Sequence, residues 1–148
     1  MEGVVQEVLD RHKKDGSLVS ILKEVQDRYG YLTQDAMLDI ARGLGVSAGE
    51  VYEVATFYSF LSTKPLGRNT IKICKSAPCF LKNCDIIIKT VEKELGINPG
   101  EVTEDGKFSL QLTNCIGACD MAPAVMINKK TYGNLTPDKI ARILSEHK

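Results

Sequence analysis

Four of the five cysteines fall into two close pairs, Cys74-x4-Cys79 and Cys115-x3-Cys119. Each pair begins where an alternating polar and apolar stretch gives way to a loop, and adjacent strand ends can bring two such loops together. Three chemistries use thiols paired in this way. A [2Fe–2S] cluster takes four thiolates, two for each iron. Structural zinc also takes four ligands but prefers Cys-x2-Cys pairs. A thioredoxin-like dithiol centre uses Cys-x-x-Cys. Neither pair has the two-residue spacing, so the iron–sulfur centre is favoured and zinc is its main rival. A Rieske-type centre lacks support, because the only histidines, His12 and His147, sit near the chain ends. With four thiolates an oxidised [2Fe–2S] group carries two negative charges, and reduction adds a third. The loops must therefore bring backbone N–H groups close to sulfur, and the small residues Ala77, Gly117 and Ala118 between the ligands permit that approach.

The fifth cysteine, Cys84, lies in the apolar stripe of its own segment and reads as a small buried hydrophobe. As a thiol near the centre, it could substitute for a ligand in a variant.

Composition narrows the remaining chemistry. The 148 residues are 43% hydrophobic and 26% charged, as in an ordinary globular protein. A formal net charge of zero speaks against a nucleic-acid binder. Lys64, Lys72, Lys75, Lys82 and Lys89 form a basic skew, either a solvated face or a docking surface for an acidic partner. Met1-Glu2-Gly3-Val4 leads into acids and bases before any long apolar run, so no signal peptide is expected. No stretch is long and apolar enough for membrane insertion. A reducing cytoplasm is therefore the expected compartment, where cysteines serve metal or redox chemistry more often than disulfides. Gly43-Leu44-Gly45-Val46-Ser47-Ala48 has the letters of a dinucleotide fingerprint but follows a helix, so its glycines read as a stop and a turn. No phosphate-cradling loop and no Ser/His/Asp set can be assembled. The chain alone is not expected to turn over a substrate.

The elements that must position the thiols divide near Pro65-Leu66-Gly67. Residues 1–66 read as a helical bundle. Val4, Val5, Val8 and Leu9 share the first helical face, and Gly16-Ser17 ends it. A second helix runs from Leu18 to Tyr29 with Ile21, Leu22 and Val25 inward and Gly30 as its stop. Thr33 caps a third, with Met37, Leu38 and Ile40 on its apolar side. Ser47 and Glu50 have capping-box spacing for a fourth through Val51, Val54 and Ala55. Residues 67–148 read as a small α/β domain. Asn69–Ile73 alternates as a strand ending in Cys74, and a helix over Leu81–Leu95 buries Leu81, Cys84, Ile88, Val91 and Leu95. Phe108, Leu110 and Leu112 alternate as a strand leading to Cys115, and 124–127 turns back at Asn128-Lys129-Lys130 to make a hairpin. Thr136-Pro137 opens a last helix with Ile140, Ile143 and Leu144 inward. The fold class is α+β, a helical bundle followed by a small sheet domain.

The cysteine pairs and their 35-residue gap resemble the thioredoxin-like [2Fe–2S] ferredoxin subunits. These include the 24-kDa-type subunit of complex I and the small subunit of NAD-linked hydrogenases and formate dehydrogenases. Val51-Tyr52-Glu53-Val54-Ala55-Thr56-Phe57-Tyr58 resembles the family's helical signature. Asn114-Cys115-Ile116-Gly117-Ala118-Cys119, Ala122-Pro123 and Tyr132-Gly133-Asn134-Leu135-Thr136 resemble its C-terminal half. The resemblance covers about residues 15 to 146. It implies a thioredoxin-like α/β ferredoxin domain with one iron on Cys74 and Cys79 and the other on Cys115 and Cys119. It also implies electron transfer within a multisubunit NAD(H)-linked oxidoreductase, of the soluble, electron-bifurcating hydrogenase kind or of complex I. The partners implied are an FMN/NAD(H)-binding flavoprotein subunit, with Val54 to Tyr58 among the contacts, and further iron–sulfur subunits. Two positions depart from the family pattern: Asn83-Cys84 stands where Gly-Ala is frequent, and Phe80 where histidine is frequent. A cis Ala122–Pro123 bond is expected, as thioredoxin-like folds commonly carry one there.

Overall fold

The computed structural model describes residues 2–12 and 16–148. The chain forms two compact units, Met1–Pro65 and Leu66–Lys148.

Among the described residues the first unit has four helices, α1 (Glu2–His12), α2 (Leu18–Tyr29), α3 (Gln34–Leu44) and α4 (Ala48–Phe57). Their starts are fixed locally. Ser17, Thr33 and Ser47 each accept a bond from the backbone N–H three residues on, the usual remedy for unpaired donors at a helix start. Gly30 and Gly45 end α2 and α3 in the left-handed region. Of the two fingerprint-like glycines, Gly45 is therefore the helix stop as expected, whereas Gly43 lies within α3. Val5, Val8, Ile21, Leu22, Val25, Ile40 and Val51 fill the core. Leu38 does not join them: it is 41% exposed, and Ala36 and Ala41 take the inward face with Met37 and Ile40. The segment after α4 is pinned by buried Gln26, whose Nε2 donates to Phe60 O at 2.8 Å and whose Oε1 accepts from the Ser62 N–H at 2.6 Å.

The second unit is a four-stranded mixed sheet in the order β2-β1-β3-β4, with β1 Asn69–Cys74, β2 Phe108–Thr113, β3 Val125–Ile127 and β4 Lys130–Tyr132. β1 runs parallel to β2 and antiparallel to β3, and β3 and β4 form the hairpin. Between β1 and β2 come α5 (Ala77–Leu81) and α6 (Cys84–Leu95), and α7 (Pro137–Glu146) closes the unit. Ile71, Ile73, Ile87, Val91, Leu110, Val125, Ile127, Ile140 and Leu144 make its core. The single helix expected over Leu81–Leu95 is corrected to two, because Asn83 takes φ 63° and interrupts it. Leu81, at the end of α5, is 78% exposed, and Ile87 replaces it in the buried stripe. The Ala122–Pro123 bond is cis. Among the described residues no helix is long and apolar enough to cross a membrane.

Candidate metal centre

Strand register decides where the thiols lie. Cys74 is the last residue of β1 and pairs with Thr113, the last of β2. Parallel pairing puts both carboxyl ends at one edge of the sheet, so Cys115, two residues past β2, emerges beside Cys74. β3 runs the other way and starts at the same edge, with the Cys74 N–H donating to Ala124 O at 3.4 Å. Cys119 opens a 3-10 turn (Cys119–Met121) that leads into β3. Cys79 lies inside the short helix α5, not in a loop as the spacing implies. Three strand ends and one helical turn thus carry the four thiols to one end of the sheet.

Within this end the thiols stand as two pairs. Cys115 Sγ lies 3.3 Å from Cys119 Sγ, and Cys74 and Cys79 are hydrogen-bonded to each other. The Cys74–Cys79 pair is buried and the Cys115–Cys119 pair exposed, and all five cysteines are free. The loops are interleaved, since the Ile116 N–H donates to Cys74 from the segment between Cys115 and Cys119. Cys74, Cys79, Cys84, Ala118 and Ala124 form one buried group, with Ile116, Ala122 and Ile88 packed against it. Cys84 is therefore buried, as its stripe implies, and shares this group with the buried pair.

Backbone donors surround sulfur. The Gly117 N–H donates to Cys115 Sγ at 3.3 Å, from a glycine at φ 78° that lets the loop curl back on its own ligand. Cys74 receives the N–H groups of Ser76 and Ile116, and Cys79 that of Ala124. Burial works to raise the Cys74 thiol, but the bonds from Ser76, Cys79 and Ile116 outweigh it and bring it below its ordinary value. Cys79 is pushed up, first by burial and then by its paired thiol. Cys119 is pushed up by its bond with Cys115 and by desolvation. Burial, with the charges of Asp85 and Cys74, pushes Cys84 up as well. Gly133 passes close against the turn that begins at Cys119, since a Cβ there would run into the Met121 side chain and lie 2.9 Å from its carbonyl oxygen.

This donor set fits a two-iron cluster. Among the described residues no three His, Cys, Asp or Glu side chains converge closely enough to hold one metal ion. A two-iron group does not require such a convergence, because it takes two thiolates at each metal. The surrounding N–H donors suit sulfur that carries extra negative charge. The sequence leads one to expect backbone donors in these loops, with Gly117 among the residues that permit them. It does not single out Ser76, Ile116 and Ala124, whose roles depend on loop conformation, nor does it show the helical setting of Cys79. The Ser76-Ala77-Pro78 start, with proline in the first turn, was the available signal for α5.

Comparison with known proteins agrees with the geometry. The family profile for thioredoxin-like [2Fe-2S] ferredoxins matches residues 5–148. The NADP-reducing hydrogenase subunit HndA of Solidesulfovibrio fructosivorans is 37% identical over 144 residues, covering 97% of this chain and 84% of that one. An NADH-quinone oxidoreductase subunit of Buchnera aphidicola is 40% identical over 131 residues, covering 88% and 77%. In three dimensions, a chain of an NAD+-reducing [NiFe]-hydrogenase in the air-oxidized state superposes with a TM-score of 0.75 at 22% identity. That match covers 93% of this chain but only 24% of the hydrogenase chain, and it establishes likeness of fold. On the extent of the sequence match, this chain belongs to the thioredoxin-like [2Fe–2S] ferredoxin family.

Proposed function

We propose that this chain is the electron-transfer subunit of a multisubunit NAD(H)-linked oxidoreductase, holding one [2Fe–2S] cluster on Cys74, Cys79, Cys115 and Cys119. The observation that carries the reading is the meeting of two thiol pairs, one buried and one exposed, at a single sheet end. Cys74 and Cys79 would hold one iron and Cys115 and Cys119 the other. The cluster, when bound, supplies a one-electron acceptor and donor. The protein's part is to hold four thiolates, to aim the N–H groups of Ser76, Ile116, Gly117 and Ala124 at sulfur, and to bury one side. The exposed Cys115–Cys119 side is left open to a redox partner.

That partner is an FMN- and NAD(H)-binding flavoprotein subunit, with further iron–sulfur subunits completing the complex. The chain itself turns over no substrate, and its place is cytoplasmic. The bundle of residues 1–66 serves assembly and the ferredoxin domain of residues 67–148 carries the electron. The complex is a soluble hydrogenase of the electron-bifurcating kind, supported by the match to the hydrogenase subunit over 97% of this chain. A second reading, a subunit of complex I, is supported by the 40% identity to the NADH-quinone oxidoreductase subunit.

Anaerobic purification tests the cluster. Iron and acid-labile sulfide should appear in equal amounts, and reduction should give a low-temperature spin-half EPR signal that Cys74→Ser and Cys119→Ser abolish or alter. Zinc without sulfide would make the chain a zinc-stapled scaffold. Insulin reduction by metal-free protein would make it a thiol–disulfide enzyme. The subunits that co-purify decide between the two complexes.

A further inference from the structure

Of the five cysteines, Cys115 and Cys119 are exposed, whereas Cys74, Cys79 and Cys84 are each only 1% exposed. The two exposed sulfurs lie 3.3 Å apart. A disulfide bond is about 2.05 Å long, so an approach of about 1 Å separates this contact from a bond. Residues 114–118 lie in neither helix nor strand, and Gly117 takes φ 78° between the two thiols, so the loop can yield by that much. We propose that Cys115 and Cys119 are a redox modification site. They close to an intramolecular disulfide by exchange with a low-molecular-weight disulfide such as oxidised glutathione, while the three buried thiols stay reduced. The site stands on its own geometry, and only its consequence for a cluster rests on the reading above.

One thiolate of the exposed pair attacks a sulfur of oxidised glutathione, forming a mixed disulfide and expelling one glutathione thiolate. The second protein thiolate attacks the protein-bound sulfur of that mixed disulfide, which closes the Cys115–Cys119 bond and expels the second glutathione. Two protein thiols are thereby oxidised and one glutathione disulfide is reduced to two glutathione molecules. These take up the protons that the protein thiols release. Access chooses the pair. Cys74 and Cys79 also stand close together, but a tripeptide disulfide does not reach sulfur buried among Cys84, Ala118 and Ala124. Proximity then favours closure over a lasting adduct, because the second thiol is already held beside the first. The bridge takes both sulfurs proposed for one iron, so bridge and cluster exclude each other.

The test exposes the full chain, freed of metal by a chelator, to oxidised glutathione without oxygen. Remaining thiols are then blocked and the peptides mapped by mass spectrometry. A Cys115–Cys119 bridge is expected, forming about tenfold or more faster than any bond to Cys74, Cys79 or Cys84. Cys119→Ser should stop at the mixed disulfide, with glutathione on Cys115. Three results would overturn the proposal in the wild-type chain: a bridge between buried thiols at a comparable rate, glutathione left on both exposed cysteines, or neither of them modified. A Cys119→Ser chain that bridges Cys115 to a buried thiol overturns it as well. The cluster-loaded chain given the same treatment should resist bridging. If it bridges as fast as the metal-free chain and keeps its cluster, the assignment of these two ligands fails and the modification site stands.

Discussion

Asn83 joins α5 to α6 in a left-handed conformation, φ 63°, with no side-chain cap bond to the helix that follows. Residues with a Cβ avoid that region, glycine accepts it freely, and asparagine is among the few others that tolerate it. A glycine at this position would have a backbone reason, and asparagine is a workable alternative. Asn83→Ala is expected to destabilise the second unit by about 1 kcal/mol, whereas Asn83→Gly should stay within a few tenths of wild type. Urea unfolding followed by circular dichroism reads both, and an alanine variant as stable as the glycine one would remove the backbone explanation. Single residues divide sharply in how far sequence reveals them. The four thiols and the inward Cys84 declared themselves by spacing and stripe. Leu81 did not, because its inward place assumed a continuous helix that Asn83 interrupts.

Between α1 and α2 runs a connected set of charges. Arg11 Nη1 donates to Glu24 at 2.7 Å, His12 Nε2 lies 2.8 Å from the same carboxylate, and Arg28 reaches Glu7 at 3.0 Å. The His12 bond is the largest influence holding Glu24 below its ordinary value near 4.5, and the Arg28 bond does the same for Glu7. A carboxyl depressed in the folded state contributes stability above its unfolded value, and loses it as pH falls through the folded one. The bundle should therefore lose stability as pH drops below about 4.5, and Glu7→Gln with Glu24→Gln should flatten that slope. Thermal melts between neutral and acid pH check this; an unchanged slope in the double variant would place the acid sensitivity elsewhere. Glu7 and Arg11 are exposed, and Glu24 and His12 only half-buried, so added salt should weaken the effect. At this scale the sequence is most readable where structure is local. Thr33, Ser47 and Gly30 mark helix ends because caps act within a few residues. The short α5 was missed because its five residues carry no apolar period. The convergence of the two thiol pairs depends on a register, Cys74 opposite Thr113, that joins residues far apart in the chain.

A subunit that relays electrons must present surface to its partner, and the first unit keeps bulky apolar groups in water. Phe57 is 80% exposed at the end of α4, packed edge-on against Tyr58 with ring centroids 5.0 Å apart. Tyr58 in turn stacks at a tilt on Phe60, 5.3 Å away. Glu53, Val54, Thr56, Phe57 and Tyr58 line an open pocket of about 530 Å³. Val51 and Ala55 on the same helix are buried, so α4 uses one face for the core and leaves the other free. The helix accordingly serves both the bundle core and the proposed contact with the flavoprotein. Phe57→Ser separates those roles. Folding stability should change by no more than about 0.5 kcal/mol, as for an exposed position. Affinity for the flavoprotein subunit should fall about tenfold or more, the usual cost of losing an aromatic anchor. A core variant such as Leu22→Ala should do the reverse, lowering stability by about 2–5 kcal/mol with binding affected only through the folded fraction. Calorimetric titration of the purified subunits, beside urea unfolding of each variant, distinguishes the two. Undiminished binding by Phe57→Ser would move the contact away from the end of α4.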